Sequence, residues 1–416
     1  MVGHPFDRPL SRRSLILGAA GWTATALIGC SPSTQSDDRA GSSASPASPS
    51  STATPEPVLC EMEVTGARAP LWARPIEQGL VYGSSAATWQ LEDTAYRALH
   101  AREASILFTE DDLLWYRLKP TPTSELDFRY GDRIVDYAER QGMLVFGAHL
   151  VWDEGFGEGW TESDLRGLSE DEARSLLFGT VEATVERYRG RIAGWIVVNE
   201  VLDSFGFRVE VPWYETIGEG FVEEAFHLAH EVDPDATLVL NDFGYETDDD
   251  FSSAADKRAV TLDYLDELLG AGVPVHAFGV QAHLLADRFP DGFDADAYRA
   301  FLAELAARGL RILITEMDVL DDGLPPQPAE RDRAVADVYR AYLEVALDEP
   351  AVASLMTFGL SDRYTWLQED YPREDGAPRR PLPFDEKLEP KPAYRSLAGA
   401  LEQAPLRDAL WVPPRC

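Results

Sequence analysis

Two glutamates stand where apolar runs end. Trp195-Ile196-Val197-Val198-Asn199-Glu200 and Arg311-Ile312-Leu313-Ile314-Thr315-Glu316 each read as an interior strand that stops on a carboxylate. Burying a lone charge costs several kcal/mol, so a carboxyl group there needs a partner, a proton or a task. Two carboxyls facing each other across a cleft supply the chemistry of glycoside cleavage. One donates a proton to the departing oxygen, and the other stays ionised and attacks or stabilises the anomeric carbon. Apolar surroundings and the neighbouring negative charge raise the pKa of the acid partner. Other chemistries fit less well. Seven histidines occur, with no His-x-His or HExxH spacing, so only Glu200, Glu316 and His283 together offer a set for a divalent ion, and no metal or other cofactor is expected. A serine hydrolase lacks its G-x-S-x-G elbow.

The elements that must hold these glutamates alternate along the chain. Short apolar runs at 80–83, 105–109, 143–148, 194–198, 237–241, 277–281, 311–315 and 354–358 predict strands. Between them, apolar residues recur at three- and four-residue steps over 130–141, 170–188, 221–231, 261–269, 297–308 and 330–347, which predicts helices. Strands separated by helices pair in parallel with right-handed crossovers. Eight such units close into an α/β fold, the (β/α)8 TIM barrel, as a single catalytic domain. An open doubly wound sheet is the alternative, but no Gly-rich phosphate loop follows the first strand. In a barrel the residues after the strands gather on one face. Here they are Thr109-Glu110-Asp111-Asp112, His149 and Trp152, Asn199-Glu200, Asn241-Asp242, Gln281 and His283, Glu316, and Phe358 with Trp366. Any one of them is ordinarily a strand cap or a solvated loop residue, and a tryptophan is ordinarily core. Together they describe an open cleft with carboxylates in the middle and rings along its sides.

Composition narrows the partners. A net charge of −35 and only four lysines, Lys119, Lys257, Lys387 and Lys391, leave no basic footprint for nucleic acid. The acidity suits solubility in salt or reflects a general bias of composition; charge speaks to habitat and not to fold. At the N-terminus, Arg12-Arg13 precede an uncharged, mostly apolar run that ends Leu27-Ile28-Gly29-Cys30. Residues 1–29 therefore read as an export signal of twin-arginine type, with Cys30 as a lipidation site in a lipobox-like sequence. Residues 30–57 hold no aromatic residue and no Leu, Ile or Val, so they are expected to form a Ser/Pro-rich tether. The domain then covers 58–416. The protein is expected to be exported and lipid-anchored at the cell surface or periplasmic face. Its membrane contact would be through the lipid alone, and it would act as a monomer on a polysaccharide or oligosaccharide. Cys60 and Cys416 flank the domain, and export permits a disulfide between them.

At this level of detail the sequence resembles glycoside hydrolase family 10, the (β/α)8 endo-β-1,4-xylanase family, over about residues 80–401. TEDDLLW at 109–115 resembles the family's TENEMKW, GAHLVWD at 147–153 resembles GHTLVWH, and FGLSDRYTWL at 358–367 resembles WGLTDKYSWL. WIVVNE, NDFG at 241–244, GVQAHL at 279–284, ITEMD at 314–318 and the tail PLPFDEKLEPKPAYRSL at 381–397 follow in order. The resemblance implies a retaining endo-β-glycosidase in which Glu200 is the general acid/base and Glu316 the nucleophile. It implies that Asn199 holds the sugar 2-hydroxyl and that His283, with Gln281 beside it, orients the nucleophile. Glu110, Asp111, His149, Trp152, Phe358 and Trp366 would line the sites on the non-reducing side of the cut.

The same comparison exposes departures. Asp111 and Leu114 stand for the family's Asn and Lys, Ala148 for a His with His149 one step along, Asp153 for the closing His, and Phe358 for Trp. The reaction machinery is kept while sugar contacts beside it differ, which leaves open a different or decorated sugar. A glycan-binding lipoprotein that has lost catalysis is a further alternative, although it would have no use for both an acid and a nucleophile. Transglycosylation would employ the same residues with another acceptor.

Overall fold

All eight expected strands form and close on themselves in a computed structural model that describes residues 69–249 and 252–415. They are β1 (Val81–Ala86), β2 (Ile106–Thr109), β3 (Leu144–Gly147), β4 (Gly194–Asn199), β5 (Thr237–Asp242), β6 (Ala277–Val280), β7 (Arg311–Leu320) and β8 (Val352–Thr357). Each pairs in parallel with its sequence neighbour, and β8 pairs with both β7 and β1, which closes the barrel. The helices that return the chain are α1 (Thr94–Glu103), α2 (Arg129–Arg140), α3 (Glu170–Arg187), α4 (Phe221–Val232), α5 (Ala254–Gly270), α6 (Ala295–Ala307), α7 (Pro328–Ala346) and α8 (Pro392–Gln403). The architecture is the (β/α)8 barrel, in one domain.

Period-two alternation sorts the strand residues into two cores. Val81, Ile106, Phe146, Ile196, Val239 and Leu313 fill the interior, while Tyr82, Leu107, Val145, Trp195, Leu238 and Ile312 face the helices. Each such side chain contributes about 1.5–3 kcal/mol by leaving water. Two helices were not expected from periodicity. The inward face of α1 is Tyr96, Leu99, His100 and Glu103, half of it polar, with Glu103 accepting from the Leu71 backbone N–H at 2.9 Å. In α8 the inward residues are mostly alanine and leucine behind a Pro at its first position. The start of α5 lies well before 261, because Ser253 caps it by accepting from the Asp256 N–H at 3.2 Å.

After α8 the chain runs as an irregular strap beneath the barrel, across the starts of the strands. Arg407 donates to the carbonyls of Leu347 at 2.7 Å and Val352 at 2.6 Å, and Arg311 donates to the Asp408 carbonyl at 2.5 Å. Trp411 donates to the Thr237 hydroxyl at 3.2 Å, and Arg415 donates to the Ala104 carbonyl at 2.7 Å. The Arg415 guanidinium lies 5.2 Å from the Trp72 ring centre, so the two ends of the described chain meet under the barrel. Cys30, Cys60 and Cys416 lie outside the described residues, as do the export signal and tether.

Candidate active site

The two glutamates emerge at the opposite, upper face. In β4, Ile196 points into the barrel while Val197 and Val198 both face the helices, and the β4–β5 register is irregular between Ile196 and Val198. That one-residue shift resets the alternation and turns the Asn199 amide into the mouth. Glu200 follows with φ 58, a left-handed backbone that non-glycine residues rarely adopt. The bend carries its carboxyl across the mouth, where Oε2 accepts from Trp152 Nε1 at 3.0 Å and Oε1 from Gln281 Nε2 at 2.8 Å. In β7 the register against β8 is irregular between Ile314 and Met317, and Thr315, Glu316 and Asp318 all reach the mouth.

Side-chain amides span the space between the carboxyls. Asn241 Nδ2 donates to Glu316 Oε1 at 2.9 Å and to Asn199 Oδ1 at 2.8 Å; Gln281 Nε2 donates to the same Asn199 Oδ1 at 3.2 Å. Thr315 donates its hydroxyl proton to Asn241 Oδ1 at 2.8 Å, which fixes which way that amide points. A Cβ at Gly279 would lie 2.1 Å from Asn241 Oδ1, so glycine at this place in β6 is what admits the amide. Asn199 Nδ2 is buried and, among the described residues, donates to no protein acceptor. An unmade bond of this kind costs about 1–3 kcal/mol.

The proton affinities of the two carboxyls are pushed apart. Glu200 and Glu316 are 8% and 4% exposed, so burial acts upward on both. For Glu200 burial prevails: its pKa is raised, with Asp242 and Glu316 adding to the effect and the Gln281 hydrogen bond and Arg208 opposing it. For Glu316 burial loses to His283, to the charge of His149 and to the Asn241 amide, and its pKa lies below the usual carboxylate value. His283 Nε2 stands 3.6 Å from Glu316 Oε2, an ion-pair distance, and its Nδ1 is 2.9 Å from Asp318 Oδ1. Burial disfavours the imidazolium, but Asp318 and then Glu316 hold it protonated up to about 10. Asp318 is itself fixed by Trp366 Nε1 at 2.8 Å.

One side of the mouth carries the remaining expected residues. Glu110 accepts from the Ser85 hydroxyl at 2.7 Å and from Gln90 Nε2 at 3.0 Å, and Asp111 accepts from Trp89 Nε1 at 2.9 Å. The His149 ring lies 5.0 Å from that of Trp152, and Phe358 sets its ring edge-on to His283 at 5.7 Å. Trp366 is half-buried and tilted against His283, whereas Trp152 is 3% exposed and serves as core and as a partner of Glu200 together. The departures noted in the sequence have structural consequences. Leu114 and Ala148 are buried and offer no polar group, and Asp153 pairs with Arg208 at 3.3 Å.

Several contributors escaped the sequence reading. Asp318 stands two residues after Glu316 on a strand, a spacing that places both on one face and was legible in ITEMD. Lys257 forms a buried ion pair with Asp242 at 2.8 Å and lies 4.3 Å from the Phe243 ring centre. Nothing in its sequence surroundings marks it, because the pair joins α5 to β5. Arg208 and the hairpin that carries it, Leu202–Asp203 with Gly206–Phe207, were also not expected.

A closed (β/α)8 barrel with two buried glutamates of opposed proton affinity at its upper rim, bridged by amides and edged by indoles, defines a glycoside hydrolase. Comparison with known proteins narrows this. Residues 74–400 match the model of glycosyl hydrolase family 10, and the chain belongs to that family. It is 30% identical over 323 residues to endo-1,4-beta-xylanase B of Thermotoga neapolitana, covering 76% of this chain and 86% of that one. It is 32% identical over 317 residues to a beta-1,4-xylanase of Dictyoglomus thermophilum, covering 72% and 82%. Among solved structures, xylanase 10B of Thermotoga petrophila in complex with xylobiose superposes with a TM-score of 0.72 at 29% identity, covering 82% of this chain and 99% of that one.

Proposed function

We propose that the protein is a retaining, endo-acting β-1,4-xylanase that works by double displacement. The observation that carries the reading is the opposed pair: His283 and Asn241 draw the Glu316 pKa down against burial, while burial and neighbouring carboxylates push that of Glu200 up. Glu316 attacks the anomeric carbon while the bond to the departing oxygen breaks and Glu200 gives that oxygen its proton. Glu200, now ionised, takes a proton from water as the water attacks the same carbon and releases Glu316. Asn199 Nδ2 donates to the sugar 2-hydroxyl, a bond that strengthens as charge develops at the ring. His283 and Gln281 orient the two carboxyls, and Glu110, Asp111, His149, Trp152, Phe358 and Trp366 line the glycone side. Xylan as substrate is supported by the xylanases to which the chain is similar.

Activity then requires Glu316 without its proton and Glu200 with it. The rate falls in acid as Glu316 protonates and in alkali as Glu200 ionises, and the raised Glu200 and lowered Glu316 widen the interval between. The deciding experiment is digestion of a linear xylo-oligosaccharide followed by proton NMR, with β-1,4-glucan oligomers run alongside. The β-anomer as first product, with the xylo-oligomer cleaved faster, is expected; the α-anomer first would overturn double displacement, and faster glucan cleavage would overturn the substrate.

The sequence ahead of residue 58 supports a second part of the proposal, export and anchoring through a lipid on Cys30. Cys30→Ala should move the protein from the membrane fraction to the soluble one, and an unchanged distribution would refute the anchor.

A further inference from the structure

Immediately after Glu200 the chain enters the hairpin Leu202–Asp203 with Gly206–Phe207. Its turn is held by Asp203 Oδ1, which accepts from the backbone N–H of Phe205 at 2.6 Å and of Gly206 at 3.0 Å. Its outer strand is held by Phe207, whose ring lies 5.3 Å from Tyr214 and 5.7 Å from Tyr264. Arg208, the next residue, is therefore delivered to a fixed place. Its backbone N–H donates to the Val201 carbonyl at 2.8 Å, and its Nη1 donates to the Glu200 carbonyl at 2.8 Å. The rest of the fork reaches Asp153 Oδ2 at 3.3 Å and Glu210 Oε1 at 3.1 Å.

We propose that Arg208 is a positioning residue for Glu200 and that Asp153 is its counter-charge. The guanidinium pins the main-chain carbonyl of the residue whose φ of 58 aims the carboxyl. Asp153 cancels enough of that positive charge for Glu200 to keep its proton where Glu316 is ionised. The inference rests on the assignment of Glu200 as acid/base. The groups that face Glu200 are Trp152 after β3, Asp242 of β5 with its partner Lys257 from α5, Gln281 after β6, and Glu316 of β7 with His283 and His149 around it. Arg208 acts on Glu200 downward, and Asp153 stands first among the charges that act on Arg208. For Asp153 burial prevails over the opposing pull of Arg208, and its pKa lies above the usual carboxylate value.

The sign follows directly. Replacing Asp153 by a neutral residue leaves the guanidinium uncancelled, so Glu200 loses its proton at a lower pH. The experiment compares kcat/KM profiles of the wild type and Asp153→Asn on two substrates. One is a xylo-oligosaccharide, and the other is a dinitrophenyl glycoside whose leaving group needs no proton. With the oligosaccharide, the alkaline limb of Asp153→Asn should move toward acid by about half a pH unit or more. With the dinitrophenyl glycoside no such limb should exist in either protein. Arg208→Lys, which keeps a charge but loses the fork, should lower kcat and leave the limb in place. Glu210→Gln, at the solvent end of the cluster, should move the limb in the same direction by less. A uniform loss of rate with a stationary limb in Asp153→Asn overturns the inference, as does a stationary limb in Glu210→Gln should Asp153→Asn not fold. Should the wild type keep its alkaline limb on the dinitrophenyl glycoside, the acid/base assignment itself is at fault.

Discussion

The two ends of the barrel handle buried charge in opposite ways. At the upper end, carboxylates meet side chains: Glu316 meets His283 and Asn241, Asp318 meets His283 and Trp366, Asp242 meets Lys257. At the lower end, arginines meet the backbone: Arg407 donates to the carbonyls of Leu347 and Val352, and Arg415 to those of Ala101 and Ala104. Side-chain partners can be rearranged and shared, so the upper network keeps one amide group, Asn199 Nδ2, unspent. Carbonyls at strand starts have no such freedom, and the strap closes over them. Burial and Arg311 push the Arg407 guanidinium down to about 10, yet the carbonyls around it give it a place to donate. One end is left chemically incomplete and the other is sealed, on a single set of strands.

This contrast predicts that damage above costs rate and damage below costs stability. The largest effect belongs to Glu316→Ala: kcat should fall by on the order of 10⁴ or more, with the denaturation midpoint close to that of the wild type. A folded Glu316→Ala protein with normal turnover would remove the nucleophile assignment and revive a binding role for the cleft. Next is Asn199→Ala, which deletes the donor to the 2-hydroxyl and should lower kcat by roughly 10²–10³, with a stability loss of about 1–3 kcal/mol because Asn241 and Gln281 lose Oδ1 as their acceptor. A fall in the denaturation midpoint with kcat per folded molecule unchanged would mean that Asn199 is structural only. Smallest in rate is Arg407→Met, which strips donors from strand-start carbonyls and should destabilise by about 2–4 kcal/mol while kcat per folded molecule stays within about twofold. If Arg407→Met slowed turnover as much as Asn199→Ala does, the two ends would not be separable.

The sequence made the upper end far more legible than the lower. Each strand is a short apolar run, and a parallel barrel puts the residue after such a run on one face, so Glu200, Glu316, His283 and Asn199 were identifiable one by one. The family stretches added their order. What remained hidden depends on pairs far apart in the chain: Lys257 with Asp242, Trp89 with Asp111, Arg208 with Asp153. The bulges that turn Asn199 and Glu316 inward also leave no local mark, because they arise from register between strands and not from either strand alone. The strap was invisible for a similar reason. Its residues Arg407, Trp411 and Arg415 form no periodic pattern, and their partners Val352, Thr237, Ala104 and Gln141 lie at the starts of four different strands or in the turns just before them. Tryptophans were read as sugar platforms or as core, and Trp152 shows that one indole can be both filler and hydrogen-bond donor.

The meeting of Trp72 and Arg415 beneath the barrel places both ends of the described chain on the face opposite the carboxylates. The same geometry makes either end a safe attachment point for a resin, a reporter or a second domain, since none of these would stand between the mouth and an incoming chain.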